Sequence, residues 1–140
     1  MNTPPQAKTM EGIRVYEYRL PGDWTVLAGK NDVDNDYLSL QVARPNDLWF
    51  HVRGAPGSHV VLRARSDAEP DKAVLQQAAA IAAYHSKARN AGTTPVACTL
   101  ARYVTKPRGA KPGTVQIKKE RIIKVRPGLP ETDRSGPPRW

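Results

Sequence analysis

The chain has 140 residues and a mass of 15.4 kDa, with 39% hydrophobic and 25% charged residues, enough for one domain with a continuous core. Twenty-two Lys and Arg against 13 Asp and Glu give a formal charge of +9, which points first to nucleic acid as a partner, then to an anionic membrane surface, and last to a small acidic substrate. The longest apolar run, Ala78 to Tyr84, falls far short of the roughly 20 residues that span a bilayer.

Residues 1–11 are polar at their start, hold Pro4 and Pro5, and are expected to form a flexible segment without the basic and apolar regions of a signal peptide. Gly12 to Leu20 alternates apolar and polar positions and predicts a strand. The turn Pro21-Gly22-Asp23 and the run Trp24 to Ala28 make it one arm of a hairpin. Gly29 to Asp36 concentrates Gly, Asn and Asp and reads as a loop; Tyr37 to Val42 fits either a short helix or a strand. Asp47 to Arg53 and His59 to Leu62 read as strands on either side of Gly54-Ala55-Pro56-Gly57.

A helix follows. Pro70 suits its first position, Asp71 the positive end of its dipole and Gly92 its C-terminal cap, with Lys87 and Arg89 in the last turn. Val74, Leu75, Ala78, Ile81, Ala82 and Ala88 form its apolar stripe. Pro95 to Tyr103 predicts a strand, Lys106 to Gly113 a Pro/Gly-rich loop, and Thr114 to Ile117 with Arg121 to Val125 a closing hairpin. From 128 to 140 the chain is expected to be disordered, leaving a folded domain at 12–127. The fold class is α+β, a mostly antiparallel sheet with one main helix packed on it.

Charge is uneven along this order. Residues 1–100 carry 11 basic and 10 acidic side chains, and residues 101–140 carry 11 and 3. In the second part, cations alternate with Val115, Ile117, Ile122, Ile123 and Val125, the pattern of strands presenting a positive face. The loop from Lys106 to Gly113 holds three cations between prolines and glycines, a restricted display suited to phosphate contacts.

Other chemistry is weakly signalled. His51 and His59, near Asp47 and Ser58, suggest an acid–base or metal site, but two histidines without a third convergent ligand are a poor zinc signature. A partly buried ring bonded to backbone is the preferred reading for His51, with RNA contact next, and His85 beside the apolar stripe reads as structural. Ala55-Pro56-Gly57-Ser58-His59 is not a nucleophile elbow, and no Gly-Lys-Ser/Thr follows Gly109 to Gly113. Asp32, Asp34 and Asp36 lack the Gly and closing Glu of a calcium loop. Cys98, the only cysteine, excludes an intrachain disulfide, reads as buried and inert, and suits a reducing cytoplasm. Trp49 and Phe50 are adjacent and must point to opposite faces of a strand. One enters the core, and packing is preferred over base stacking for the other.

Gly29-Lys30-Asn31-Asp32 with Asn35-Asp36, then Asp47-Leu48-Trp49-Phe50-His51-Val52, then Pro56-Gly57-Ser58-His59-Val60, resembles the NFACT RNA-binding domain. Ala83 to Arg89 and Lys106 to Gly113 are similar to that family's helix end and basic loop, and the order holds from about Gly12 to Pro127. The larger members act in ribosome quality control, binding a split large ribosomal subunit and tRNA and supporting untemplated tail addition. This chain resembles their RNA-binding part alone, with Asp32 where a second Asn is common and His85 where an aromatic is usual.

The resemblance and the charge together imply a cytoplasmic, non-enzymatic module for structured RNA, tRNA or rRNA, associated with the ribosome. It would have no membrane partner, no cofactor, no metal and no catalytic residue. Lys106, Arg108 and Lys111 are the expected phosphate contacts. Lys30, Asn31, Arg53, Lys87, Arg89 and Arg102 extend the surface, and His51 and His59 bond RNA or hold their strands. A protein-binding adaptor in translation quality control is the alternative, and a His-dependent nuclease or hydrolase a further one.

Overall fold

The computed structural model of the chain describes residues 6–130. Lys8–Met10 (β1) pairs antiparallel with Ile13–Leu20 (β2), so part of the stretch expected to be flexible is an edge strand; residues 1–5 lie outside the described residues. Strand β2 pairs with Trp24–Gly29 (β3) across a turn in which Gly22 and Asp23 both take positive φ, 88° and 66°. That handedness matches the twist of a tight hairpin.

Asn31 to Asp36 is not a loop. Asn31 caps a helix, Asp32–Tyr37 (α1), its Oδ1 accepting from Asp34 N at 2.9 Å, and Asp32 and Asp34 sit in the first turn where the dipole favours acids. The same Asn and Asp residues that tolerate turns are strong helix starters, and here the second property wins. Leu38–Val42 continues as a wide helical turn closed by Ala43 N donating to Leu38 O at 2.9 Å.

Leu48–Val52 (β4) and Val60–Leu62 (β5) are the central strands, and Thr94–Leu100 (β6) lies beside β4. The sequence expectation pairs Thr114–Ile117 with Arg121–Val125; the structure separates them. Gln116–Ile117 (β8) pairs with Val104–Thr105 (β7), whereas Arg121–Val125 (β9) pairs with β6 at the sheet edge. Val115 and Ile117 pack on one face of the main sheet, Ile123 and Val125 on the other, so one two-strand ribbon could not serve both. The main sheet runs β1-β2-β3-β5-β4-β6-β9, with antiparallel neighbours throughout.

The main helix, Lys72–Tyr84 (α2), is capped by Asp71, whose side chain accepts from Val74 N at 3.0 Å. It stops well before Gly92: His85 leaves helical geometry, and Ser86 forms a β-bridge with Gly57. Lys87 and Arg89 therefore lie beyond the helix rather than in its last turn.

Ala78, Ile81 and Ala82 pack on the sheet face bearing Tyr18, Val26, Phe50, Val52, Val60 and Leu62, where slim alanines let the helix lie close. The opposite face, with Val15, Leu27, Trp49 and Val61, is covered by Leu38, Val42 and Val104. Trp49 and Phe50 point to opposite faces and both are buried. Each such buried apolar side chain contributes roughly 1.5–3 kcal/mol. Gly128 N donates to Ala80 O and Leu129 packs on the helix-face core, so the first residues of the stretch expected to be disordered are held against α2; residues 131–140 lie outside the described residues. The architecture is α+β, as the sequence implied.

Candidate nucleic-acid interface

Three short motifs meet at one end of the sheet, where β3 ends, β5 begins and α2 stops. Ser58 Oγ donates to Gly29 O at 2.6 Å, Ser58 N to His85 O at 2.8 Å, and Lys87 N to Pro56 O at 2.9 Å. Asn35 Oδ1 accepts from His59 N at 3.0 Å, tying α1 to the same junction. The approach is close enough that a Cβ on Gly57 would lie 2.6 Å from Ser86 Cβ.

A shallow groove of about 380 Å³ opens over this junction, with Tyr16, Ser58 and His85 along it. Its rim carries Lys30, Lys87 and Arg89, all exposed. The His85 ring stacks on Tyr16 at 4.6 Å and hydrogen-bonds through Nε2 to the Tyr18 hydroxyl at 2.5 Å. Burial, reinforced by the nearby Arg89 charge, pushes the His85 pKa down to about 4, so the ring is neutral at physiological pH. Arg89 is itself held in place: its Nε donates to Tyr84 O at 2.7 Å and its guanidinium lies 4.0 Å over the Tyr84 ring.

On the other side of α1 stands the Lys106–Gly113 loop. Ala110 N donates to Pro107 O at 3.1 Å and Thr114 N to Lys111 O at 3.0 Å, two successive turns that present Arg108 and Lys111 to solvent. Lys106 does not join them. Its Nζ donates to Asp36 Oδ2 and Thr114 O, each at 2.9 Å, and to Lys111 O, which uses all three ammonium protons inside the protein. Lys106 is thus the staple that fastens the loop to α1.

His59 fastens it a second time. Burial and the neighbouring His51 push its pKa down to about 4, so it carries one ring proton, and the contact to Gly113 O at 3.1 Å requires that proton on Nε2. Nδ1 is then an acceptor for Ser39 Oγ–H at 2.7 Å, and Ser39 Oγ accepts from Trp49 Nε1 at 2.9 Å. Each donor of the Trp49–Ser39–His59–Gly113 relay finds an acceptor, and no lone pair of the His59 ring is left for a metal or a substrate proton. His51 is half-buried, lies 5.5 Å from the His59 ring and stacks near Trp49; burial lowers its pKa, partly offset by bonding to Gly57 backbone.

Asp47, the expected acidic companion of these histidines, sits at the opposite end of β4. There its carboxylate accepts from Arg44 N at 2.9 Å and Ala64 N at 2.7 Å. Among the described residues no cluster of three or more His, Cys, Asp or Glu could hold a metal ion. Cys98 is buried, and burial raises its pKa.

Of the residues singled out by sequence, Lys30, Asn31, Lys87 and Arg89 converge on the groove. Arg108 and Lys111 lie across α1 from it, and Arg53, paired with Glu120, flanks His51 and His59. Arg102 does not belong to this group: it bonds Pro45 O and Asn46 Oδ1 at the far end of the sheet. Tyr16 was not singled out because nothing in an alternating strand marks which outward ring meets a groove. Ser58 stood in a quoted motif, yet its role depends on Gly29 and His85, both distant in sequence.

Residues 14–119 match the NFACT protein RNA binding domain, and every candidate residue falls within that span. The chain belongs to this family. Its relatives include proteins named Rqc2 homolog RqcH. That of Bacillus subtilis is 44% identical over 110 residues, covering 79% of this chain and 19% of the relative. That of Streptococcus suis is 40% identical over 106 residues, 76% of this chain and 19% of the relative. This NFACT domain chain thus spans about a fifth of the curated relatives it matches. The C-terminal structure of the fibronectin/fibrinogen-binding protein from Streptococcus suis superposes with a TM-score of 0.74 at 38% identity, covering 80% of this chain and 45% of that one. Among the described residues no helix is long and apolar enough to cross a membrane.

Proposed function

We propose that this NFACT domain binds structured RNA, tRNA or rRNA in the cytoplasm and in association with the ribosome, through the groove end of the sheet, and that it acts by binding rather than catalysis. The observation that carries the reading is the convergence of Lys30, Lys87 and Arg89 on a groove walled by the Tyr16 and His85 rings, with Arg108 and Lys111 displayed across α1. Cations at fixed spacing neutralise phosphates, while ring faces accept an unpaired base. Membership of a family described as RNA-binding, and likeness to proteins named Rqc2 homolog RqcH, support it. His59 offers no free ring nitrogen as a base for the hydrolase alternative, and Asp47 stands at the other end of β4.

Fluorescence anisotropy with labelled tRNA across a salt series, with duplex DNA as competitor, tests the proposal. Sub-micromolar binding at physiological salt that DNA does not displace is the expected result. Weak binding lost equally to DNA would reduce the surface to a general polycation and overturn the reading.

A further inference from the structure

A cavity of about 690 Å³ lies away from the RNA groove, at the other end of the sheet, and the RNA reading makes no use of it. It is a trough on the helix face, between the N-terminal end of α2 and the edge where β4 begins and β5 and β6 end. Register lines its floor: Leu48 of β4 stands opposite Leu62 of β5 on one side and Leu100 of β6 on the other. Leu75 of α2 closes the row from above, and Leu48, Leu75 and Leu100 are each only half-buried. Three half-exposed leucines around one concavity form a continuous aliphatic surface rather than scattered apolar residues.

The rim has the opposite character. Arg44, Arg63, Arg65 and Arg121 border the trough. The Arg65 guanidinium is paired with Asp67 and lies 5.1 Å over the Trp24 ring, and Arg63 leans toward Asp47 at 3.7 Å. Arg44 and Arg121 make no salt bridge within the described residues, and Arg121, which is exposed, also bonds the Cys98 thiol. Of the acids lining the cavity, Asp47 is buried and already saturated by backbone N–H groups, which leaves Glu69 as the exposed one.

We infer that this trough is a docking site for a short acidic segment of another protein, with aliphatic side chains seated on Leu48, Leu75 and Leu100 and carboxylates paired with Arg44 and Arg121. Charge complementarity selects an anionic occupant. The floor selects protein over RNA, because it is built of leucine side chains and its one large ring, Trp24, is buried and covered by Arg65, leaving no face for a base to stack on. The proposal is independent of the RNA reading and would let one end of the sheet hold RNA while the other holds a protein.

Panning a random twelve-residue peptide display library against the full chain saturated with tRNA tests it, followed by anisotropy with the enriched peptides made synthetically. Enriched sequences should combine Asp or Glu with Leu, Ile or Val. Their affinity should fall about tenfold or more in an Arg44→Ala/Arg121→Ala double variant, whose folding is checked by circular dichroism and melting. A Leu100→Asp variant, checked for folding in the same way, should abolish peptide binding while tRNA affinity stays within about twofold. Absence of an acidic–aliphatic consensus, or peptides indifferent to the arginine pair, would overturn the site. Displacement of the peptides by excess tRNA, with loss of tRNA binding in the same arginine variant, would reassign the trough to RNA. Failure of tRNA to bind at all would refute only the separate RNA reading, since the panning can be repeated without it.

Discussion

Two lysines five residues apart, Lys106 and Lys111, show how little residue type alone says about role. Both lie in a basic loop, but Lys111 is exposed while Lys106 spends every proton on Asp36 and two carbonyls. Lys111→Ala should therefore leave the melting temperature unchanged and reduce the salt slope of RNA binding by up to about 0.9. Lys106→Met should instead destabilise the protein by about 1–3 kcal/mol, because it strands the Asp36 carboxylate, whose Oδ1 is already buried without a partner. Differential scanning fluorimetry beside the salt series separates the two outcomes; equal melting temperatures would refute the staple. His59 and His85 give a second residue-scale expectation. Both are held neutral with pKa values near 4 against an ordinary 6.5. Between those pH values the unfolded chain binds protons at these rings that the folded chain does not. Stability conferred by these two rings is thus complete above about pH 6.5 and falls as pH drops towards 4, with a slope approaching two protons. Urea unfolding at several pH values in this window measures it, and a flat profile would contradict the buried neutral rings.

At the scale of elements, the decisive junction joins the Pro56–Ser58 segment to the residues leaving α2. It is an antiparallel bridge one residue long, Gly57 to Ser86, closed by Ser58 N to His85 O and Lys87 N to Pro56 O. Gly57→Ala would force a Cβ into Ser86 Cβ and His85 O, and overpacking of this kind costs about 1–3 kcal/mol. The expected signature is local: faster amide exchange at Ser58 and Lys87 and weaker RNA binding, while Phe50 and its neighbours stay protected. Uniform destabilisation without loss of affinity would mean the junction is not what shapes the groove. The premature end of α2 belongs to the same logic. Helical propensity does not stop the chain at Tyr84; the bridge to Gly57 and the His85–Tyr18 bond do, and they outweigh the Gly92 cap that local sequence suggests.

For the molecule as a whole, antiparallel pairing gives the sheet two ends with different surfaces, one ringed by Lys30, Lys87, Arg108 and Lys111, the other an aliphatic trough with an arginine rim. Net charge draws a polyanion to both, but only the first end combines free cations with ring faces. Lys30→Ala/Lys87→Ala should accordingly weaken tRNA binding severalfold and lower the salt slope by up to about two, whereas Arg102→Ala, at the far end, should leave both nearly unchanged. Equal losses in the two variants would show that binding follows total charge rather than the groove.

The α+β class, the β2–β3 hairpin, the central strands and the existence of α2 were legible in the sequence, because alternation, turn chemistry and the helical stripe are local and repeat along the chain. So was the basic loop, since prolines and glycines between cations mark it wherever it packs. The family resemblance rested on short motifs, and the structure shows why they occur together: Gly29, Gly57 and Ser58 are the points where separate segments touch. Tertiary structure alone decided the rest. Whether Lys106 faces solvent depends on Asp36, 70 residues away, whether His59 is a base or a tether depends on Ser39 and Gly113, and whether β8 pairs with β9 or β7 depends on which sheet face needs cover. Each is a contact between residues distant along the chain, and its energy depends on burial and partner geometry that no local pattern encodes.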